Sequence, residues 1–70
     1  MKEVFWMPIV QIEMLEGRNL EQKREMVKGV TDALVKTLKC PPEAVHIIIR
    51  EMKAENVAEN GALFIDSRGS

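Results

Sequence analysis

The fold is decided by residues 8–15, which read Pro-Ile-Val-Gln-Ile-Glu-Met-Leu. Apolar Val10, Ile12 and Met14 alternate there with polar side chains. Alternation with a period of two is typical of a strand that has one buried face. We therefore predict a first strand over this stretch, closed by a turn at Glu16-Gly17-Arg18.

A long helix is expected to follow, from about Leu20 to Lys39. Asn19 can cap its first turn, and Gln22 stands in the capping-box position. Apolar residues repeat every three or four positions along one face. They are Met26, Val27, Val30, Ala33, Leu34 and Leu38. Pro41-Pro42 ends the helix, because proline lacks an amide donor and disfavours α geometry in the residue before it.

Beyond the helix, residues 45–49 are β-branched and almost wholly apolar, which predicts a second strand buried on both faces. A strand, a helix and a strand form a βαβ unit, whose strands are expected to lie parallel. After a polar segment from Lys53, the Asn60-Gly61 turn precedes an apolar run from Ala62 to Ile65, which predicts a short C-terminal strand or hairpin. The fold class is therefore α/β, with one βαβ subunit.

The size of the chain indicates assembly into a homo-oligomer. Two strands and one helix cannot cover both faces of their own sheet. A single core at this length rarely stabilises a fold by more than about 3–5 kcal/mol, so small chains are usually reinforced by disulfides, a metal or oligomerisation. The single Cys40 excludes an internal disulfide and, with one histidine, does not supply a zinc site. We expect no metal and assign Cys40 no role.

Composition excludes several classes of partner. Ten basic residues face eleven acidic ones, and there is no tyrosine, which argues against nucleic acid. No apolar run approaches the roughly 18–20 residues of a membrane span. A free thiol without an export signal indicates the cytoplasm.

Several segments together resemble the 4-oxalocrotonate tautomerase family. They are Met7–Ile12, Leu15–Arg18, Glu21–Lys23, Glu51–Met52 and Gly61. The resemblance covers Pro8 to about Arg68 and implies a βαβ subunit that forms homohexamers. It also implies an isomerase that moves a proton by keto-enol or allylic transfer and needs no cofactor. The implied substrate is a small unsaturated 2-oxo or 2-hydroxy acid, as in the catabolism of aromatic hydrocarbons.

The resemblance implies that an N-terminal proline, here Pro8, is the general base. Such a base should titrate near neutral pH, and burial beside cations lowers the pKa of an amine. Arg18 matches the family arginine that reaches in from a neighbouring subunit and binds a substrate carboxylate. The alternative for an isolated arginine is a solvated surface side chain.

Two positions depart from the family pattern. His46 stands where the family usually has a second arginine, and Val57 where it has a phenylalanine that lines the pocket. We expect both to contact substrate, although histidine lacks the planar fork of arginine. Arg50, four residues further along the second strand, is a weaker candidate for the missing arginine, and His46 could instead be an ordinary strand residue.

Residues 1–7 are interpreted as a leader from a start assigned too far upstream, and residues 8–70 as the tautomerase-like domain. Lys2-Glu3-Val4 can be encoded by a purine-rich ribosome-binding sequence, which suits initiation at Met7. With the leader attached, the nitrogen of Pro8 is an amide and has no basic lone pair. The alternative is a genuine extension in which Phe5 and Trp6 pack on the oligomer.

Two other functions stay open. A non-catalytic oligomeric binding or scaffold protein would keep the fold with Pro8 blocked by the leader. Hydration or dehalogenation of a small unsaturated acid is a second enzyme class, but no acidic residue is clearly placed to activate water.

Overall fold

The computed structural model describes residues 7–67. Its elements are β1 (Ile9–Leu15), α1 (Leu20–Leu38), β2 (His46–Met52), β3 (Ala58–Glu59), β4 (Ala62–Leu63) and α2 (Phe64–Ser67), with single 3₁₀ turns at Pro42–Ala44 and Ala54–Asn56. The interpretations that involve Phe5, Trp6 and Arg68 lie outside the described residues. Over the described range, no helix is long and apolar enough to cross a membrane.

The predicted βαβ unit is confirmed. β1 and β2 pair in parallel, in a register that runs from Ile9 opposite His46 to Leu15 opposite Met52. The second strand extends three residues beyond the predicted end at Ile49, because β1 continues to offer backbone partners to those residues.

Both ends of the helix are fixed by capping interactions. Asn19 Oδ1 accepts a hydrogen bond from the Gln22 N–H at 2.7 Å, and Gln22 Oε1 accepts one from the Asn19 N–H at 3.0 Å, which completes the capping box. The helix ends at Leu38, one residue before the predicted end, because Lys39 adopts a left-handed conformation with φ of 59°.

The C-terminal hairpin is also confirmed, but its second strand is shorter than the predicted run from Ala62 to Ile65, because Phe64 begins α2. β3 and β4 are antiparallel, and Asn60 and Gly61 between them have φ values of 58° and 82°. Positive φ at both central residues is the mark of the tight type I′ turn, for which Asn-Gly is a favoured pair. The segment predicted as a loop before this turn contains the second 3₁₀ turn and β3.

One chain buries very little. Among the described residues only Cys40, at 5% exposure, and Ala44, at 8%, are buried. On the outward face of the sheet, Ile9 is 67% exposed and Ile48 is 43% exposed. The predicted burial of the second strand on both faces is therefore not reached within a single chain.

Candidate active site

Pro8 and His46 lie together at one end of the sheet. The His46 N–H donates a hydrogen bond to the Pro8 carbonyl oxygen at 3.1 Å, one position before the ladder begins at Ile9. Pro8 is half-buried, whereas His46 is exposed. The register pairs His46 with Ile9, so the His46 side chain lies on the same face of the sheet as that of Ile9.

Arg18 lies beyond the other end of β1. Gly17 before it has φ of 135°, a backbone conformation that L side chains rarely adopt, so glycine suits this turn. Arg18 is exposed, and no carboxylate within residues 7–67 is in ion-pair distance of it. The charge of its guanidinium is therefore available to an anionic ligand.

A shallow depression of about 240 Å³ opens beside this arginine. It is lined by Met14, Arg18, Gln22, Lys23 and Met26. A guanidinium and an amide at the rim of an apolar floor suit an organic acid, whose carboxylate needs donors and whose carbon chain does not.

A single chain does not bring Pro8 and Arg18 together. The seven residues of β1 separate them. At about 3.3 Å per residue, the two ends of this strand are roughly 20 Å apart. That distance exceeds the length of a small unsaturated acid, so one site that uses both residues needs two chains.

Val57 and Arg50 occupy different surroundings. Val57 is half-buried, and its carbonyl oxygen accepts a hydrogen bond from the Phe64 N–H at 2.8 Å, within the C-terminal segment. Arg50 lies on the same outward face of β2 as His46, because the strand is regular between them. It is four residues further from Pro8, so His46 is the nearer donor.

Sequence reasoning missed an ion pair at the Arg18 end. Lys23 Nζ lies 2.6 Å from Glu51 Oε2, and the two side chains are 26% and 29% exposed. The predicted second strand ended at Ile49, whereas the observed β2 places Glu51 on the same face as Ile47 and Ile49. A charge at such a position needs a partner.

Cys40 packs beside the end of the helix, with Sγ 3.9 Å from the Leu34 carbonyl oxygen. In the part of the chain that the structure describes, no group of three or more His, Cys, Asp or Glu side chains could hold a metal ion.

Comparison with known proteins identifies the family. The family model described as "Tautomerase enzyme" matches residues 8–66. A probable tautomerase of Halalkalibacterium halodurans is 40% identical over 60 residues, which cover 86% of this chain and 98% of the relative. One from Streptococcus pneumoniae is 50% identical over 46 residues, which cover 66% of this chain and 77% of the relative.

The fold also has counterparts among solved structures. A structure from work on the 4-oxalocrotonate tautomerase isozymes of Methylibium petroleiphilum superposes with a TM-score of 0.83 and 39% identity, over 87% of this chain and 95% of the other. The fold and these matches define the class as tautomerase. The chain belongs to the 4-oxalocrotonate tautomerase family of the tautomerase superfamily, and this membership supports isomerase chemistry in general terms.

Proposed function

We propose that this protein is a tautomerase whose N-terminal Pro8 is the general base for a small unsaturated 2-oxo or 2-hydroxy acid. The observation that carries the proposal is the family match, which begins at Pro8 and spans the whole βαβ unit. The relative from Halalkalibacterium halodurans adds to this support, since 60 matched residues cover 98% of its length.

The proposed reaction moves one proton and leaves no net charge behind. The secondary amine of Pro8 removes the proton of the 2-hydroxyl group of an enol or dienol acid, and the electron pair shifts to carbon 3 or, along a conjugated diene, to carbon 5. The prolinium then delivers its proton to carbon 3 or carbon 5, giving the 1,3- or 1,5-transfer product. A free amine is required, because an amide nitrogen has no basic lone pair.

Arg18 binds the substrate carboxylate that is remote from the 2-oxygen. A bidentate, charge-assisted contact suits a guanidinium that has no ion-pair partner within residues 7–67. A cation there also attracts the electron density that builds up along the conjugated chain during proton transfer. His46, next to Pro8, donates to the oxygens at the near end of the substrate, and Val57 supplies apolar contact.

The active unit is a homo-oligomer, and we propose a hexamer. Its support is the separation of Pro8 from Arg18 along β1 together with the exposed apolar side chains of Ile9 and Ile48. The enzyme needs no cofactor, and we place it in the cytoplasm.

Two chains test the function. Expression from Met7 yields a chain that begins at Pro8 after removal of the initiator methionine. This short chain should ketonise 2-hydroxymuconate or phenylenolpyruvate faster than the spontaneous reaction, and the 70-residue chain should not.

A Pro8→Ala version of the short chain is the control, since it keeps a terminal amine but changes its basicity and position. Equal activity of the long and short chains would remove Pro8 as the base. Inactivity of both forms on every enol acid tried would favour the non-catalytic scaffold.

A further inference from the structure

Lys23 and Glu51 form an ion pair that crosses from the start of α1 to the end of β2. Their side chains are only 26% and 29% exposed. The other ion pairs within residues 7–67 are Arg24–Glu21 and Lys28–Asp32, which lie inside α1 with side chains at least 64% exposed. In this range, therefore, the Lys23–Glu51 pair is the one that joins two elements.

Glu51 occupies a position where packing alone would favour an apolar residue. It lies opposite Met14 in the parallel register and on the same side of β2 as Ile47 and Ile49. Removing two charges from water costs free energy that their attraction offsets only in part, so a partly buried pair adds little to stability. A role in fixing geometry is the better explanation.

The geometry that this pair fixes is that of the turn carrying Arg18. Before the turn, the Glu16 N–H donates to the Met52 carbonyl oxygen at 2.9 Å. After it, Asn19 and Gln22 form the capping box. Lys23 is the next residue after Gln22, and Glu51 is the residue before Met52, so the ion pair connects these two anchors.

Lys23 and Arg18 also face the same space. Both line the depression whose floor includes Met14, the register partner of Glu51. Because Glu51 neutralises Lys23, Arg18 remains the cation at this rim without an ion-pair partner in the described range. An anion that enters the depression is therefore directed to Arg18.

We propose that the Lys23–Glu51 ion pair is a positioning pair that holds Arg18 in place for the substrate carboxylate. The inference rests on the proposed function, because it takes Arg18 as the residue that binds the carboxylate. Lys23 and Glu51 touch no reacting atom and act through the turn between them.

The positioning role can be distinguished from a simple effect of charge, because the two explanations predict different changes in anion binding when the pair is broken. Lys23→Met removes a positive charge and Glu51→Gln removes a negative one. If only the local potential mattered, the first change would weaken binding of an anion and the second would strengthen it. If the pair positions Arg18, both changes weaken binding.

The experiment measures the Kd of muconate by NMR titration for the short chain that begins at Pro8. Muconate is a dicarboxylate diene without the 2-hydroxyl group, so it reports binding without turnover. Lys23→Met and Glu51→Gln should each raise the Kd about threefold to tenfold. The exposed pair provides matched controls, and Lys28→Met and Asp32→Asn should change it by less than about twofold.

Repetition in an Arg18→Ala background separates positioning from a general loss of structure. A pair that acts through Arg18 has no further effect once Arg18 is gone, whereas a structural defect lowers affinity in both backgrounds. The double change Lys23→Glu with Glu51→Lys restores the pair with reversed polarity and should recover affinity, which covers the case in which a single variant fails to assemble.

The outcomes separate failure of the positioning role from failure of the proposed function. Tighter or unchanged binding by Glu51→Gln, or equal losses with and without Arg18, would overturn the positioning role and leave the proposed function standing. If Arg18→Ala binds muconate as the unaltered chain does, or neither binds it, the carboxylate role of Arg18 fails, and this inference fails with it.

Discussion

The backbone N–H of His46 donates a hydrogen bond to the carbonyl oxygen of Pro8 at 3.1 Å. The contact holds the first residue of β2 beside the proposed base without using the imidazole. The side chain at position 46 can therefore be exchanged while the backbone relation to Pro8 is kept, and the exchange reports on substrate contact alone.

We expect His46→Arg to lower the KM of the short chain for 2-hydroxymuconate about threefold to tenfold, because a planar fork adds bidentate donors at the near end of the substrate. His46→Ala should raise the KM. Steady-state kinetics of both variants provide the measurement. Arg50→Ala on the same strand face is the comparison, and a larger loss there than in His46→Ala would transfer the role to Arg50.

Two glycines should respond to alanine with opposite signs. Gly17 has φ of 135°, and a Cβ added there would meet no atom within 4 Å, so strain of the backbone alone opposes the change. We expect Gly17→Ala to lower the free energy of unfolding by about 1–2 kcal/mol. Urea denaturation at one fixed subunit concentration provides the measurement.

Gly29 is the matched control, since it lies within α1 and a Cβ there also meets nothing within 4 Å. Gly29→Ala should raise the free energy of unfolding by about 1 kcal/mol, because alanine is the better helix former. Destabilisation by both changes to a similar extent would show that φ is not the cause.

Assembly can be measured directly. Ile9 and Ile48 share the outward face of the sheet and remain 67% and 43% exposed in one chain. Light scattering should give a mass several times the 8.0 kDa of the chain. Ile48→Asp should reduce that mass, whereas Lys36→Glu on the exposed side of α1 should not. A folded, monodisperse monomer would contradict the prediction.

Local patterns were sufficient to predict most of the fold. The alternation from Pro8 onward, the Asn19 capping box and the Asn60-Gly61 turn each depend on residues close in sequence, and each is confirmed. The ends of α1 and β2 were less accurate, because a left-handed Lys39 and the length of the β1 ladder decide them.

The candidate site was predictable only in part. Arg18 and Pro8 were found through a resemblance, and their assignment to one site stays a prediction. The pairing of Lys23 with Glu51 was missed because it joins residues far apart in the sequence and depends on how the helix crosses the sheet. The periodicity and spacing of residues describe one helix or strand at a time, so they do not predict how α1 lies across the sheet.

The last prediction concerns the sharing of one site between two chains. Since roughly 20 Å of strand separates Pro8 from Arg18 in one subunit, each site should combine Pro8 of one chain with Arg18 of another. Two different inactive chains should then complement each other. The short chain with Arg18→Ala has a free Pro8 but no guanidinium, and the 70-residue chain has Arg18 but a blocked Pro8.

Equal amounts of the two chains, unfolded together and refolded, should regain about a quarter of the activity of the unaltered short chain, because random assembly joins a free Pro8 to an intact Arg18 in that fraction of sites. Each chain refolded alone should have a kcat/KM that is orders of magnitude below that of the unaltered short chain. Mixing without unfolding is the control for slow exchange. If the refolded mixture has only the summed activity of its parts, the two residues do not share a site between subunits, and Arg18 acts elsewhere or not at all.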